Sequence, residues 1–304
     1  MDFKIVQVPQ PFFEPVNLIR IGDAVLDTGH VDDASTKVVL EHFETGDLKG
    51  VTEVVVTHPH IDHVGASAGV PTLGEMPHTV LRGAEQVIVN LGEYMLGARE
   101  EQKHLLALRD PETAAMIDIT GNIYFPADRE YGSVNISRIV DPGDEIDLGE
   151  ACLRVISTPG HEANHMALYH EPSSTVFSGD LVTNNAQFSR TPLTPNIGDY
   201  ERSLYKLLEL APQRIVPSHG TVIEDGTDHL RRCLANVEDI KSRVMDALGE
   251  MGEASHLELG KQVFEVTDPL KRVALVLVTW CYLEYLESEG KVVLDRDEQM
   301  ARLS

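Results

Sequence analysis

The sequence predicts an α+β fold in which layers of helix cover paired β-sheets, followed by a small C-terminal module. Two β-rich halves, their strands bounded by Gly, Pro, Asp or Ser, stand either side of a helix-patterned middle. From about residue 229 the pattern becomes helical and poor in strands. With 304 residues, 42% of them hydrophobic, the chain can bury a substantial core. The expected organisation is residues 1–225 as one domain, with a helical insertion at about 81–119, and residues 229–304 as a tail.

The first half opens with β segments at residues 4–8, 17–21 and 24–26, the last two turning at Gly22-Asp23. Asp27-Thr28-Gly29 closes this hairpin, and Val38, Val39, Leu40 and Phe43 give residues 34–43 a helical spacing. The β-branched run at 51–57 reads as a buried strand that delivers the chain to His58. Between 81 and 119, Val87, Ile88, Leu91, Met95, Leu105, Leu106 and Leu108 alternate with charged residues and predict at least two helices. Residues 123–137 show no clear period. The second half has strand patterns at 136–140, 145–148, 152–156, 166–169 and 175–178.

In the tail, Leu230, Leu234, Val237, Ile240, Val244 and Leu248 share one helical face. Ser255-His256-Leu257-Glu258 fits a capping box opening a second helix. A third helix from 269 to 289 should stop at Gly290, with a strand at 291–294. Three helices and a terminal strand look like a winged-helix module. From residue 229 onward, ten Lys or Arg face fourteen Asp or Glu, so the tail lacks the basic face of a DNA-binding module. Packing or homodimerisation is its expected role.

The formal charge of −24 argues against nucleic acid as a partner, because such affinity rests mainly on cationic contacts to phosphates. Cys152, Cys233 and Cys281 are odd in number and form no CxxC pair, so buried free thiols are expected. The start has no basic stretch followed by an apolar run, and no stretch approaches the roughly 20 apolar residues that span a bilayer. These features predict a cytoplasmic protein with no membrane association.

The strongest chemical signal is His58-Pro59-His60-Ile61-Asp62-His63, three imidazoles and a carboxylate just beyond a predicted strand. Neutral imidazole and carboxylate suit divalent zinc, manganese or iron. A chance HxHxDH match has a probability on the order of 0.002, so a polar surface turn is a poor explanation. His161 in TPGH, Asp180 in SGD and His219 in PSHG recur at later strand ends. Alone, each would be an ordinary loop residue; beside a cluster that needs more ligands they become candidates. His30 and His165 have a plain structural reading beside a hydrogen-bonding one. Asn184 and Asn185 face a similar choice between a substrate carbonyl and local turn chemistry.

In this order, the motifs HxHxDH, TPGH, SGD and PSHG resemble those of the metallo-β-lactamase superfamily, over roughly residues 1–225. The resemblance implies a four-layer αββα sandwich holding two divalent metal ions, zinc by default. It implies that His58, His60 and His161 hold one ion, that Asp62, His63 and His219 hold the other, and that Asp180 bridges both. Asp62 is thereby also the candidate catalytic residue, and Asp27 a supporting residue rather than a ligand. A diiron flavoprotein would have Glu in place of His60, and a true zinc β-lactamase usually lacks the bridging Asp. The TPGH segment, the SGD strand end and the tail are similar to the lactamase-β-like-2 group, which includes endoribonucleases and thioesterases, and to glyoxalase II-like hydrolases.

The expected reaction is hydrolysis of a small ester, thioester or lactone by a hydroxide bridging the two ions. Cleavage of single-stranded RNA is the runner-up, and oxidation of a persulfide at a single iron is a minority alternative. The helical insertion is the expected source of substrate selectivity.

Overall fold

The computed structural model describes residues 1–107, 111–124, 129–184, 196–264 and 269–304. Its first sheet has the order β1 (Lys4–Val8), β2 (Val16–Ile21), β3 (Ala24–Leu26), β4 (Glu53–Val56), β5 (His78–Leu81) and β6 (Ile136–Val140). The first three strands pair antiparallel, whereas β3 to β6 pair in parallel. Parallel neighbours need crossover connections. Helix α1 (Asp33–Glu44) supplies the first, and α2 (Ile61–Gly69) with α3 (Pro71–Gly74) the second. Helices α4 (Ala84–Val89), α5 (Leu91–Ala107) and α6 (Pro111–Tyr124) supply the third, where the sequence predicts its helical insertion.

The second sheet runs β11 (Arg214–Pro217), β10 (Thr175–Gly179), β9 (Met166–His170), β8 (Cys152–Ser157) and β7 (Glu145–Asp147). Its parallel pair, β10 and β11, encloses helix α7 (Ile197–Glu209). The tail consists of α8 (Gly226–Met251), β12 (Glu253–Ser255), α9 (His256–Phe264), α10 (Pro269–Ser288), β13 (Val292–Asp295) and β14 (Met300–Leu303). Its strands form a third sheet in the order β12, β14, β13.

Three apolar interfaces separate four layers. Ile19, Ile21, Leu26, Val55 and Leu81 of the first sheet meet Leu153, Val155, Met166, Leu168, Phe177 and Val216 of the second. The opposite face of the first sheet, through Val6, Leu18, Val54 and Val56, buries Val39 of α1 and Ile61 and Val64 of α2. The outer face of the second sheet, through Ala167, Tyr169, Val176 and Ile215, packs on α7, α8, α9 and α10. This is the expected helix–sheet–sheet–helix order, and it follows from strands whose two faces are both apolar.

The strand expected at 51–57 contracts to Glu53–Val56, because Thr57 and His58 already belong to the site. The capping box forms as expected, with Ser255 N donating to Glu258 Oε2 at 2.9 Å and Glu258 N returning to Ser255 Oγ at 3.3 Å. Cysteine burial needs correction. Cys233 and Cys281 are buried, but Cys152 is exposed, at the first position of β8. No helix among the described residues is long and apolar enough to cross a membrane.

Candidate metal centre

The candidate residues converge at one end of the paired sheets because the strands that carry them end there. Asp27 follows β3, Thr57 and His58 follow β4, Thr158 and His161 follow β8, Asp180 follows β10, and Ser218 and His219 follow β11. The two sheets are tied together at this end. Met166 N donates to Thr57 O at 2.9 Å, and Asn17 N donates to Ser218 O at 2.7 Å. Asn17 Nδ2 adds bonds to Pro217 O and Gly220 O.

His60 caps α2, so Asp62 and His63 occupy its first turn, while eight of its nine residues are buried. That burial sets a strict demand at Gly65, where a Cβ would meet the Val31 backbone nitrogen at 2.8 Å. The TPGH loop is pressed as closely on α7. Gly160 has φ 134°, and a Cβ there would lie 2.3 Å from the Tyr200 Cα.

The seven candidates form two buried donor sets, His58 with His60 and His161, and Asp62 with His63, Asp180 and His219. In the first, His58 Nε2 and His161 Nε2 each lie 3.0 Å from His60 Nδ1. In the second, Asp62 Oδ2 is 3.5 Å from His63 Nε2 and 3.4 Å from His219 Nε2. Asp180 spans the sets, with Oδ1 at 3.5 Å from His63 Nε2 and 3.3 Å from His219 Nε2, and Oδ2 at 3.5 Å from His161 Nε2.

The outward nitrogens fix where the protons sit. His63 Nδ1 faces Asp27 Oδ2 at 2.8 Å, and His219 Nδ1 faces the Pro15 carbonyl at 3.0 Å. The Thr57 hydroxyl donates to Asp27 Oδ2 at 2.8 Å and so accepts from His58 Nδ1 at 3.1 Å. His60 Nε2 faces Glu162 Oε2 at 3.5 Å. The outer N–H groups of His58, His63 and His219 are thus held away from the centre, whereas His161 Nδ1 and the buried Nε2 atoms of His63 and His219 have no hydrogen-bond partner among the described residues. A tetrahedral ion bound at ~2.0–2.1 Å would space such nitrogens by about 3.3 Å, so the residues present fit divalent metal.

The electrostatics agree. Burial holds His58 and His161 well below the ordinary imidazole range, which keeps them neutral donors. For Asp62 and Asp180 burial acts upward, but the imidazoles around them, His63 and His219 foremost, hold both well below the usual carboxylate range. Burial also opposes charge on His63, yet Asp62, Asp180 and Asp27 together raise it well above its ordinary value. The carboxylates therefore demand a positive charge where the second donor set converges.

Other residues sort differently. Asp27 is a hub, accepting also from Thr57 N at 2.8 Å and Ser218 Oγ at 3.4 Å. His165 donates from Nδ1 to Thr158 Oγ1 at 2.8 Å and accepts from Asp180 N at 3.1 Å, and burial drives it down to about 3. His30 stands away from the donor sets, bonded to Asp32 and the Tyr124 carbonyl. Asn184 secures the turn after His219 by bonding Thr221, which favours its local reading, and Asn185 lies outside the described residues. Sequence reasoning missed Glu162 and Tyr94, whose hydroxyl donates to Glu162 Oε2. Glu162 directly follows His161 and could have been suspected; Tyr94, distant in sequence, carries no such signal.

A family model described as the metallo-beta-lactamase superfamily matches residues 22–219, a span that holds all seven candidates. The chain belongs to that superfamily. Among curated relatives, a beta-lactamase-like protein 2 homolog of Caenorhabditis elegans is 29% identical over 153 residues, covering 50% of each chain. A probable metallo-hydrolase of Bacillus subtilis is 27% identical over 243 residues, or 73% of this chain and 72% of that protein. An acyl-coenzyme A thioesterase of Gallus gallus is 31% identical over 107 residues, 34% of this chain and 38% of the relative. The matched region thus spans only about half the length of the nematode protein. A metallo-beta-lactamase family protein of Thermus thermophilus superposes with a TM-score of 0.71 over 99% of this chain and 98% of its own, at 21% identity. That likeness of fold takes in the tail as well as the region that the family model matches.

Proposed function

We propose that the chain is a dinuclear metal-dependent hydrolase of a small acyl substrate, with a thioester or ester as the leading class and a lactone beside them. The observation that carries this reading is the span of Asp180, whose two carboxylate oxygens reach different donor sets. His58, His60 and His161 would hold one ion and Asp62, His63 and His219 the other, with Asp180 touching both. Two such ions, when bound, would lower the pKa of water and polarise the substrate carbonyl, so the protein needs no side-chain nucleophile. Zinc is the default, because imidazole with carboxylate is a donor set that zinc commonly accepts.

The chain's own residues prepare the site. Asp27, the Pro15 carbonyl and Thr57 hold the outer protons of His63, His219 and His58, fixing their tautomers. His165 holds the Asp180 backbone, and with it the direction of that carboxylate. Support for acyl chemistry comes from the thioesterase name of one relative and from the charge of −24, which suits a small substrate better than RNA.

We read residues 229–304 as a winged-helix-like module packed on a catalytic domain of residues 1–225. Its support is the helix–strand–helix–helix–strand–strand order and the docking of its residues on α5, where His256 Nε2 meets Leu105 O at 2.8 Å.

The test uses protein purified without a metal-chelating tag, with elemental analysis and assays on thioester, lactone and labelled single-stranded RNA from one preparation. About two zinc or manganese ions per chain with acyl hydrolysis is the expected result. RNA cleavage without acyl hydrolysis, or a single iron with oxygen consumption on a persulfide, would overturn it.

A further inference from the structure

The seventeen-residue helix α5 touches two distant parts of the molecule. Near its start, the Tyr94 hydroxyl donates to Glu162 Oε2. Near its end, the Leu105 carbonyl meets His256 Nε2 at 2.8 Å, and the His104 carbonyl accepts from Gln299 Nε2 at 3.0 Å. The helix is thus fastened to the tail at one end and to a buried carboxylate of the site at the other.

Glu162 is only 3% exposed, and the same Oε2 lies 3.5 Å from His60 Nε2. That separation is long for a hydrogen bond, and among the described residues His60 Nε2 has no closer acceptor. A glutamate is ordinarily ionised at neutral pH, so a carboxylate faces the imidazole. His60 differs in this from three of its neighbours, whereas His161 Nδ1 has no hydrogen-bond partner among the described residues. His63, His219 and His58 are oriented by groups at 2.8 to 3.1 Å that belong to the sheets and their turns. His60 Nε2 faces a carboxylate whose Oε2 is held from a crossover helix, while its Oε1 takes only a long contact of 3.5 Å from Asn164 N.

We propose that Tyr94 is a positioning residue: by holding Glu162 Oε2 it sets the tautomer, orientation and donor strength of His60 within the first donor set. A carboxylate that accepts the outer N–H of an imidazole fixes the ring and raises its basicity toward a cation. The Tyr94 hydroxyl keeps that carboxylate ordered and moderates its charge. The crossover helix acts on the site through this contact as well as by standing near it. The inference rests on the reading of His60 as a metal ligand.

The test measures zinc affinity of each donor set by competition with a chromophoric chelator, on the full chain and on Tyr94→Phe, Glu162→Gln and the double variant. Thermal unfolding of the metal-stripped proteins runs alongside to follow the fold. Tyr94→Phe removes one oxygen and is expected to weaken the donor set containing His60 about tenfold while leaving the other within about twofold. Glu162→Gln is expected to cost as much or more, and the double variant no more than Glu162→Gln alone, because Tyr94 acts through Glu162. The pH below which zinc is released should move upward in both single variants. Unchanged zinc affinity in both single variants would overturn the proposal, and so would independent, multiplicative losses in the double variant. A parent chain that binds no zinc, manganese or iron overturns the functional reading itself, a different result from a metal-binding parent whose variants match it.

Discussion

Asp27 Oδ2 stands 2.8 Å from His63 Nδ1 and ties the turn after β3 to the first turn of α2. Asp27 also accepts from the Thr57 amide and hydroxyl, so one carboxylate fixes the ends of two strands and one imidazole. Its φ of 63° lies in the left-handed region, where Asp and Asn are tolerated better than other side chains.

Asp27→Asn therefore isolates the chemistry from the backbone. The amide keeps the shape and the φ preference but cannot accept from Thr57 and His63 together as the carboxylate does. Zinc affinity of the second donor set should fall by about 10–100-fold, read by chelator competition, with the first set much less affected. Equal affinity in the variant would show that Asp27 does no more than close the turn.

How much of this was legible in the sequence depended on how local the signal was. HxHxDH places four donors within six residues, and β4 and α2 bring them together with little help from elsewhere. His161, Asp180 and His219 were legible only as partners for that cluster, since their convergence depends on strand order. Glu162 and Tyr94 meet across 68 positions, a contact made by packing of the crossover helix rather than by any periodicity. Strands β5, β11, β12 and β14 were not legible: each is four residues or fewer, too short for alternation alone to mark, and the equally short β3 and β13 were read with the help of the turn Gly22-Asp23 and the helix stop Gly290 that precede them. Cys152 shows the converse error, a residue-type preference for burial overridden by its place at the very start of a strand, ahead of the buried Leu153 and Val155.

Gly160→Ala tests the close approach of the TPGH loop to α7. A methyl group would sit 2.4 Å from the Tyr200 nitrogen at a φ of 134°, which combines a clash with backbone strain. We expect a loss of about 3 kcal/mol or more and weaker metal binding at His58, His60 and His161, seen by thermal unfolding and chelator competition. Gly50→Ala separates the two effects. Gly50 has φ 86° but nothing within 4 Å, so it carries the strain alone and should cost about 1 kcal/mol. Equal losses at both positions would exclude the clash as the cause.

His165→Ala should lower stability and metal affinity together. The substitution leaves the buried Asp180 N–H and the Thr158 hydroxyl without their present partner and opens a cavity behind Gly179, whose missing Cβ would lie 2.4 Å from His165 Nε2. A cost of about 2–4 kcal/mol is expected. Loss of stability with zinc affinity unchanged at both sets would show that the Asp180 direction is fixed by other contacts.

Acid sensitivity of the metal-stripped chain follows from the signs of the histidine shifts. His58, His161 and His165 have folded values below the unfolded reference of about 6.5. Below that pH the unfolded chain takes up protons that these folded sites refuse, so stability falls as pH drops, down to about 3 for His165. His63 acts the other way: its raised value contributes stability that is present below about 6.5 and lost as pH rises through its folded value. Asp62 and Asp180, both depressed, contribute stability above about 3.9 that is lost only in stronger acid, so they are constant across the neutral window. His78, His170 and His229 are also lowered by burial, so six histidines against one leave the acid-labile sign dominant. Thermal unfolding in the presence of chelator should show Tm falling by at least about 5 °C between pH 7.5 and 5.0. A Tm that holds or rises over that range would mean that the His63 contribution outweighs those of all the lowered histidines, and that the donor set around Asp62 and Asp180 is stabilised by a proton when no metal is bound.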